Sequence, residues 1–117
     1  MMGIFKRNEA VVCKDGFRMS VQHGDGLYCS PRVDNAERYY EVEVGFPSEA
    51  VPLLAQYQEM LNDMEGNPLP PTESVYPYVP SSLIPLICMQ HGGIVSGELP
   101  PGVMYVSAEL MEGLKDG

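Results

Sequence analysis

Three cysteines and two histidines are the residues of this 117-residue chain best suited to metal or nucleophilic chemistry. Cys88 and His91 form a Cys-x2-His pair, and Cys13 and Cys29 could complete a four-ligand zinc set. The spacing of Cys13 and Cys29 fits no zinc ribbon or finger. Cys88 falls in an apolar helical stretch, where a thiol behaves as a small hydrophobe. His91, just before Gly92, is an ordinary helix C-terminal residue favoured by the dipole. No metal or other cofactor is therefore assigned. Cys29 has Arg32 three residues on, and a nearby arginine lowers a thiol's pKa. Catalysis would also need a positioned base, and His23 and His91 are the only imidazoles. A strand-end thiol is the simpler reading, and the chain is read as non-enzymatic.

A second set suits anions. Arg18, Arg32 and Arg38 lie near turns, with Tyr28, Tyr39 and Tyr40 close in sequence. Guanidinium forks match phosphate bidentately and tyrosine stacks on bases, so this set could hold a small phosphorylated nucleotide. Alternatively, the arginines pair with Asp34, Glu37, Glu41 or Glu43. Gly24-Asp25-Gly26 and Gly92-Gly93 lack the spacing and lysine of a phosphate loop.

The third set is acidic. From Tyr39 to Leu114 the chain carries ten carboxylates and neither lysine nor arginine, while six of seven basic residues lie in the first 38 positions. Net charge is −9, with a pI near 4.4. That balance argues against direct nucleic-acid binding, which needs many cationic phosphate contacts. It suits a basic protein surface instead, with Glu41, Glu43, Glu49 and Glu73 as the candidate face. Carboxylates at this density are too sparse to imitate a phosphate backbone closely, but steering towards a basic partner needs less.

The elements that position these groups fit one domain, residues 10–114, after a polar lead-in at 1–9. No apolar run is long enough for a membrane span, and the N-terminus has no signal-peptide core. The cysteines are then read as free cytosolic thiols. Short strands are expected at 10–13 and 17–22 around the Asp15-Gly16 turn, and at 27–29. At 39–46 Tyr40, Val42, Val44 and Phe46 should face inward. Val51, Leu54, Tyr57, Leu61 and Met64 have helical spacing behind Ser48 as N-cap. Residues 73–79 read as an edge strand because Pro77 lacks an amide hydrogen, with Val75, Pro77 and Val79 on one face. A free edge there could pair across a two-fold, giving a homodimer. A buried helix over 81–91 ends at Gly92-Gly93, followed by strands at 94–96 and 103–107 and a last helical turn at 108–114. Pro47-Ser48 with Pro52 is echoed by Pro80-Ser81 with Pro85, either a strand-to-helix unit used twice or ordinary junction chemistry that recurs. The expected fold is α+β: a mainly antiparallel sheet of five to six short strands, with two helices on one face.

The motifs Gly16–Gln22, Tyr28–Arg32, Tyr40–Ser48, Pro71–Pro80 and His91–Val95 together resemble a family of small bacteriophage and prophage proteins of unassigned function, over residues 11–95. The resemblance implies a viral accessory protein of the bacterial host cytoplasm and supplies no catalytic residue. By analogy with such proteins, the expected role is to inhibit or modulate a host defence protein by binding it through the acidic surface. A sponge for a phosphorylated signalling nucleotide is the alternative.

Overall fold

The structure, a computed structural model, describes residues 7–116. It is a small α+β fold around a five-stranded antiparallel sheet of order β4-β3-β2-β1-β5. The strands are β1 (Val11–Cys13), β2 (Arg18–Gln22), β3 (Glu41–Gly45), β4 (Val75–Pro80) and β5 (Ile94–Ser96). The two α-helices are α1 (Leu83–Gln90) and α2 (Ala108–Asp116). Most of the 1–9 lead-in lies outside the described residues, but Asn8 and Glu9 are tied down. Asn8 exchanges hydrogen bonds with Gln22, and the Glu9 amide donates to the Glu98 carboxylate.

Alternation builds the core face. Met19 and Val21 of β2 lie beside Val11 and Cys13 of β1 and Val42 and Val44 of β3, all essentially inaccessible. Ile84, Ile87 and Cys88 of α1 and the side chain of Leu54 join the same cluster. At about 25 cal/mol per Å² of apolar surface, burying each large aliphatic side chain contributes roughly 1.5–3 kcal/mol before chain entropy is set against it. The other face of β2 and β3 is more polar, with Arg18, Ser20, Gln22, Glu41 and Glu43.

The expected helix over 51–64 does not form. Only Pro52–Tyr57 coils, as a 3-10 turn. Ser48 is not its cap, because its amide and hydroxyl are both bonded to the backbone of Arg18, extending the β2 edge. Gln58 then turns extended, and the Glu59 amide donates to the Val75 carbonyl. The side-chain amide of Gln58 holds the carbonyls of Met60 and Leu69 and the Ser74 hydroxyl. Residues 61–69 therefore close into a small hairpin, with backbone bonds Leu69–Leu61 and Asp63–Asn67. Sheet-edge hydrogen bonds and the Gln58 clamp outcompete a helix whose Leu61 and Met64 would have found no core to cover; here they stand exposed.

Three further expectations are corrected. β3 alternates only from Glu41 to Gly45, so Tyr40 and Phe46, expected inward, are 63% and 60% exposed, while Tyr39 turns in. In β4 a bulge shifts the register between Val42↔Val79 and Val44↔Tyr76. Tyr76 and Val79 therefore share the core face, and Tyr78 takes φ +51°. Residues 27–29 and 103–107 are not strands; each region contributes a single bridge, Ser30↔Glu41 and Ile94↔Ser107. The junction echo leads to different elements, a 3-10 turn the first time and α1 the second.

Other expectations are met. β4 is an edge strand, and Gly92 and Gly93 end α1 at φ +89° and +90°, their amides bonded back to Met89 and Cys88. The burial expected of α1 holds on one side only: Ile84, Ile87 and Cys88 are buried, while Leu86 and Met89 are exposed. Both sheet edges are partly capped. The Tyr28 carbonyl accepts from Tyr78 and the Val75 carbonyl accepts from Glu59 on β4, while Ile94 of β5 donates to Val106. Strand pairing between two copies at β4 has few free groups left.

Candidate functional site

The thiol–imidazole set does not assemble. Cys13 and Cys88 adjoin in the core between β1 and α1, where the hydrogen bond to Cys13 and burial push the Cys88 thiol far up, so it stays protonated. Cys29 is buried elsewhere: its sulfur accepts from the Gly24 amide and donates to the Gly24 or Pro31 carbonyl, at 3.3–3.4 Å. Arg32 makes its contacts with the Gly26 carbonyl and the Tyr28 ring rather than with the Cys29 sulfur.

The arginines also disperse. Arg18 sits on β2 beside Ser48. Arg38 lies against Gly102. Arg32 donates to the Gly26 carbonyl at 3.3 Å and stands 5.2 Å from the centre of the Tyr28 ring, a cation–π contact. Tyr28 meets the ring of Tyr78 at 5.8 Å, and its amide donates to Glu43 Oε2 at 3.0 Å. Arg32, Tyr28 and Glu43, assigned from sequence to two different sites, thus share one patch. Tyr39 leaves the ligand set: it is fully buried, and its hydroxyl donates to the Val33 carbonyl at 2.6 Å and accepts from the Ala36 amide at 3.2 Å. That tyrosine staples the 33–36 loop and has no group left for a ligand.

The four acidic residues do not form one face. Glu41 and Glu43 share the outer side of β3, both half-buried, and Glu43 is committed to Tyr28. Glu73 lies beyond the opposite end of the β3–β4 ladder, in the turn Pro71–Glu73. Glu49 joins the β1–β2 turn, its carboxylate 4.0 Å from His91 Nδ1.

Near Glu73 the structure adds an element that the helix reading concealed. The 61–69 hairpin carries Met64, 99% exposed at its tip, with Leu61 and Met60 also exposed. Glu59 and Glu65 flank them in solvent. Asp63 is structural, accepting from the amides of Glu65 and Asn67. The sequence signal for this hairpin was Gly66-Asn67-Pro68, a turn tripeptide read only as a helix stop.

Charge pairing is sparse. Among the described residues one lysine or arginine forms a salt bridge, Lys14 with Glu112 of α2. Among the described residues Arg18, Arg32 and Arg38 have no carboxylate within ion-pair distance, so the expected pairings with Asp34, Glu37, Glu41 and Glu43 are absent. Among the described residues the carboxylates between Glu41 and Glu109 accordingly have no lysine or arginine within ion-pair distance. No helix among the described residues is long and apolar enough to cross a membrane. Comparison of the chain with protein-family models, curated proteins and solved structures gave no match.

Proposed function

We propose that this chain is a non-enzymatic accessory protein of a phage, working in the host cytoplasm, that binds and modulates a host protein through a basic surface of that partner. One observation carries the reading: among the described residues no carboxylate from Glu41 to Glu109 is paired with a lysine or arginine. A countercharge supplied by a partner would stabilise the complex and steer its formation. The contact is centred on the 61–69 hairpin, the preceding Glu59 and Met60, and neighbouring Glu73, where apolar anchors (Met60, Leu61, Met64) stand among carboxylates. Exposed apolar groups rimmed by charge are the composition of a protein-binding patch. The dispersal of Arg18, Arg32 and Arg38 removes the convergent fork that a nucleotide phosphate would need, so the protein partner is preferred to the nucleotide sponge.

Affinity capture from bacterial lysate, followed by binding kinetics at rising salt, tests this. A basic partner should associate more slowly as salt rises, with the Debye length falling from about 10 Å at 0.1 M to 3 Å at 1 M. Glu59→Lys with Glu65→Lys should slow association, and Met64→Ser should speed dissociation. A captured partner whose association ignores both salt and charge reversal would refute the acidic-surface reading.

A further inference from the structure

Asp15, Glu49 and His91 converge from three elements that are distant in sequence. Asp15 belongs to the β1–β2 turn, Glu49 to the segment after β3, and His91 follows α1. Their ligand atoms, one from each residue, all lie within 4.8 Å of one another, the only such trio of His, Cys, Asp or Glu among the described residues. His91 Nδ1 is 2.7 Å from Asp15 Oδ2 and 4.0 Å from Glu49 Oε1. The imidazole is held flat on Phe17, centroids 4.0 Å apart and planes 8° from parallel, which aims Nδ1 at both carboxylates. Asp15 is fixed from the other side, its Oδ1 accepting from the Phe17 amide. The neighbouring cation, Lys14, is held by Glu112.

We infer that these three side chains form a binding site for a divalent first-row metal ion, of which Zn²⁺ is the type. One nitrogen and two carboxylate oxygens are a ligand set such ions accept, and three protein ligands leave a position for water. Metal–ligand bonds of about 2.1 Å at tetrahedral angles place the donor atoms about 3.4 Å apart. The separations of 2.7 and 4.0 Å fall on either side of that value. Coordination needs Asp15 to open by about 0.7 Å and Glu49 to close by about 0.6 Å. Glu49, well exposed, is free to do so, and Asp15, half exposed, needs only to swing Oδ2 about the Oδ1 that the Phe17 amide holds. The ion takes the place of the proton between His91 and Asp15, and Glu49, at 4.0 Å a weak partner for that proton, becomes a full ligand. The site is a clip: it ties the β1–β2 turn and the segment after β3 to the end of α1.

Calorimetric titration of the chelator-treated chain with Zn²⁺ tests this. One ion per chain is expected, with a melting temperature that rises on binding. Glu49→Gln and Asp15→Asn should each weaken binding by at least about tenfold, since even outer partners of a metal site cost 10–100-fold when lost. His91→Phe, which keeps the ring over Phe17, should abolish it. Glu49→Gln carries the test whatever happens to the other variants, because its exposed side chain has no hydrogen bond or ion pair among the described residues besides the approach to His91; its metal-free circular dichroism and melting should match the wild type. Absence of stoichiometric Zn²⁺ binding by the wild type overturns the inference. So does binding that Glu49→Gln and His91→Phe leave within about twofold, which would place the ion elsewhere.

Discussion

Replacing Tyr39 by phenylalanine removes one oxygen and nothing else from a side chain with no exposed surface. That oxygen donates to the Val33 carbonyl and accepts from the Ala36 amide. Each bond contributes about 1 kcal/mol net, and a partner left unsatisfied costs about 1–3 kcal/mol if water cannot reach it. The Val33–Ala36 loop is at the surface, so water recovers part of the loss, and about 2 kcal/mol is the expected cost. Unfolding entropy of about 2.1 cal/mol/K per residue gives roughly 0.25 kcal/mol/K for a chain of this size, so the melting temperature should fall by about 8 °C. The control is Tyr40→Phe, next in sequence but 63% exposed, which should change stability by less than about 0.5 kcal/mol. Urea denaturation of both variants, with melting followed in parallel, measures the difference. Equal stabilities would refute the structural role of the hydroxyl. A Tyr39→Phe protein of unchanged stability that lost a nucleotide ligand would return Tyr39 to the ligand set.

Other consequences concern the pH dependence and the turns. His23 is held below its ordinary value of 6.5 mainly by burial, and its Nδ1 lies 3.2 Å from the Asn8 amide nitrogen, a donor that favours the neutral ring. A depressed folded pKa means stability is complete above about pH 6.5 and is lost as acid takes the pH down towards the folded value; His23→Gln should flatten that limb in denaturation series between pH 8 and about pH 5. Gly93→Ala should cost at least about 2–3 kcal/mol, because at φ +90° its new Cβ would lie 2.6 Å from the Ser107 carbonyl oxygen. Gly66→Ala, at φ +86° with nothing within 4 Å, should cost only about 1 kcal/mol in the same melts. Gln58→Ala removes the NH2 group whose two hydrogens are shared among two hairpin carbonyls and the Ser74 hydroxyl, so it should cost about 2 kcal/mol and raise amide exchange and proteolysis across 59–70 ahead of the sheet.

What could be read from the residues was local. Alternation at Met19 and Val21, and at Val42 and Val44, defined strands, because a period of two allows only one buried face. Asp15-Gly16 marked the hairpin and Gly92-Gly93 the end of α1, because positive φ is costly for other residues. The run of carboxylates without lysine or arginine is a property of the chain, whatever its fold. What failed depended on partners far away in sequence. Helical spacing over 51–64 presumed a surface for Leu61 and Met64, and none exists; the β4 edge and the Gln58 clamp took the segment instead. Tyr39 and Tyr76 turned inward where β3 had ended and a bulge had shifted β4, and neither event is encoded in alternation.

The grouping of side chains was decided by the tertiary structure alone. Residue types flagged His91 as a ligand but coupled it to cysteines, because a Cys-x2-His pair is close in sequence. Folding sends Cys88 into the core, since a thiol on the buried side of α1 has no route out, and leaves His91 at the helix end against the β1–β2 turn. Asp15 and Glu49 reach it only because β1 and β3 flank β2 and α1 packs across the same sheet. Spacing along a chain can specify which atoms are adjacent within one turn of helix or one strand; pairing order, which depends on the summed burial of all five strands, decides the rest.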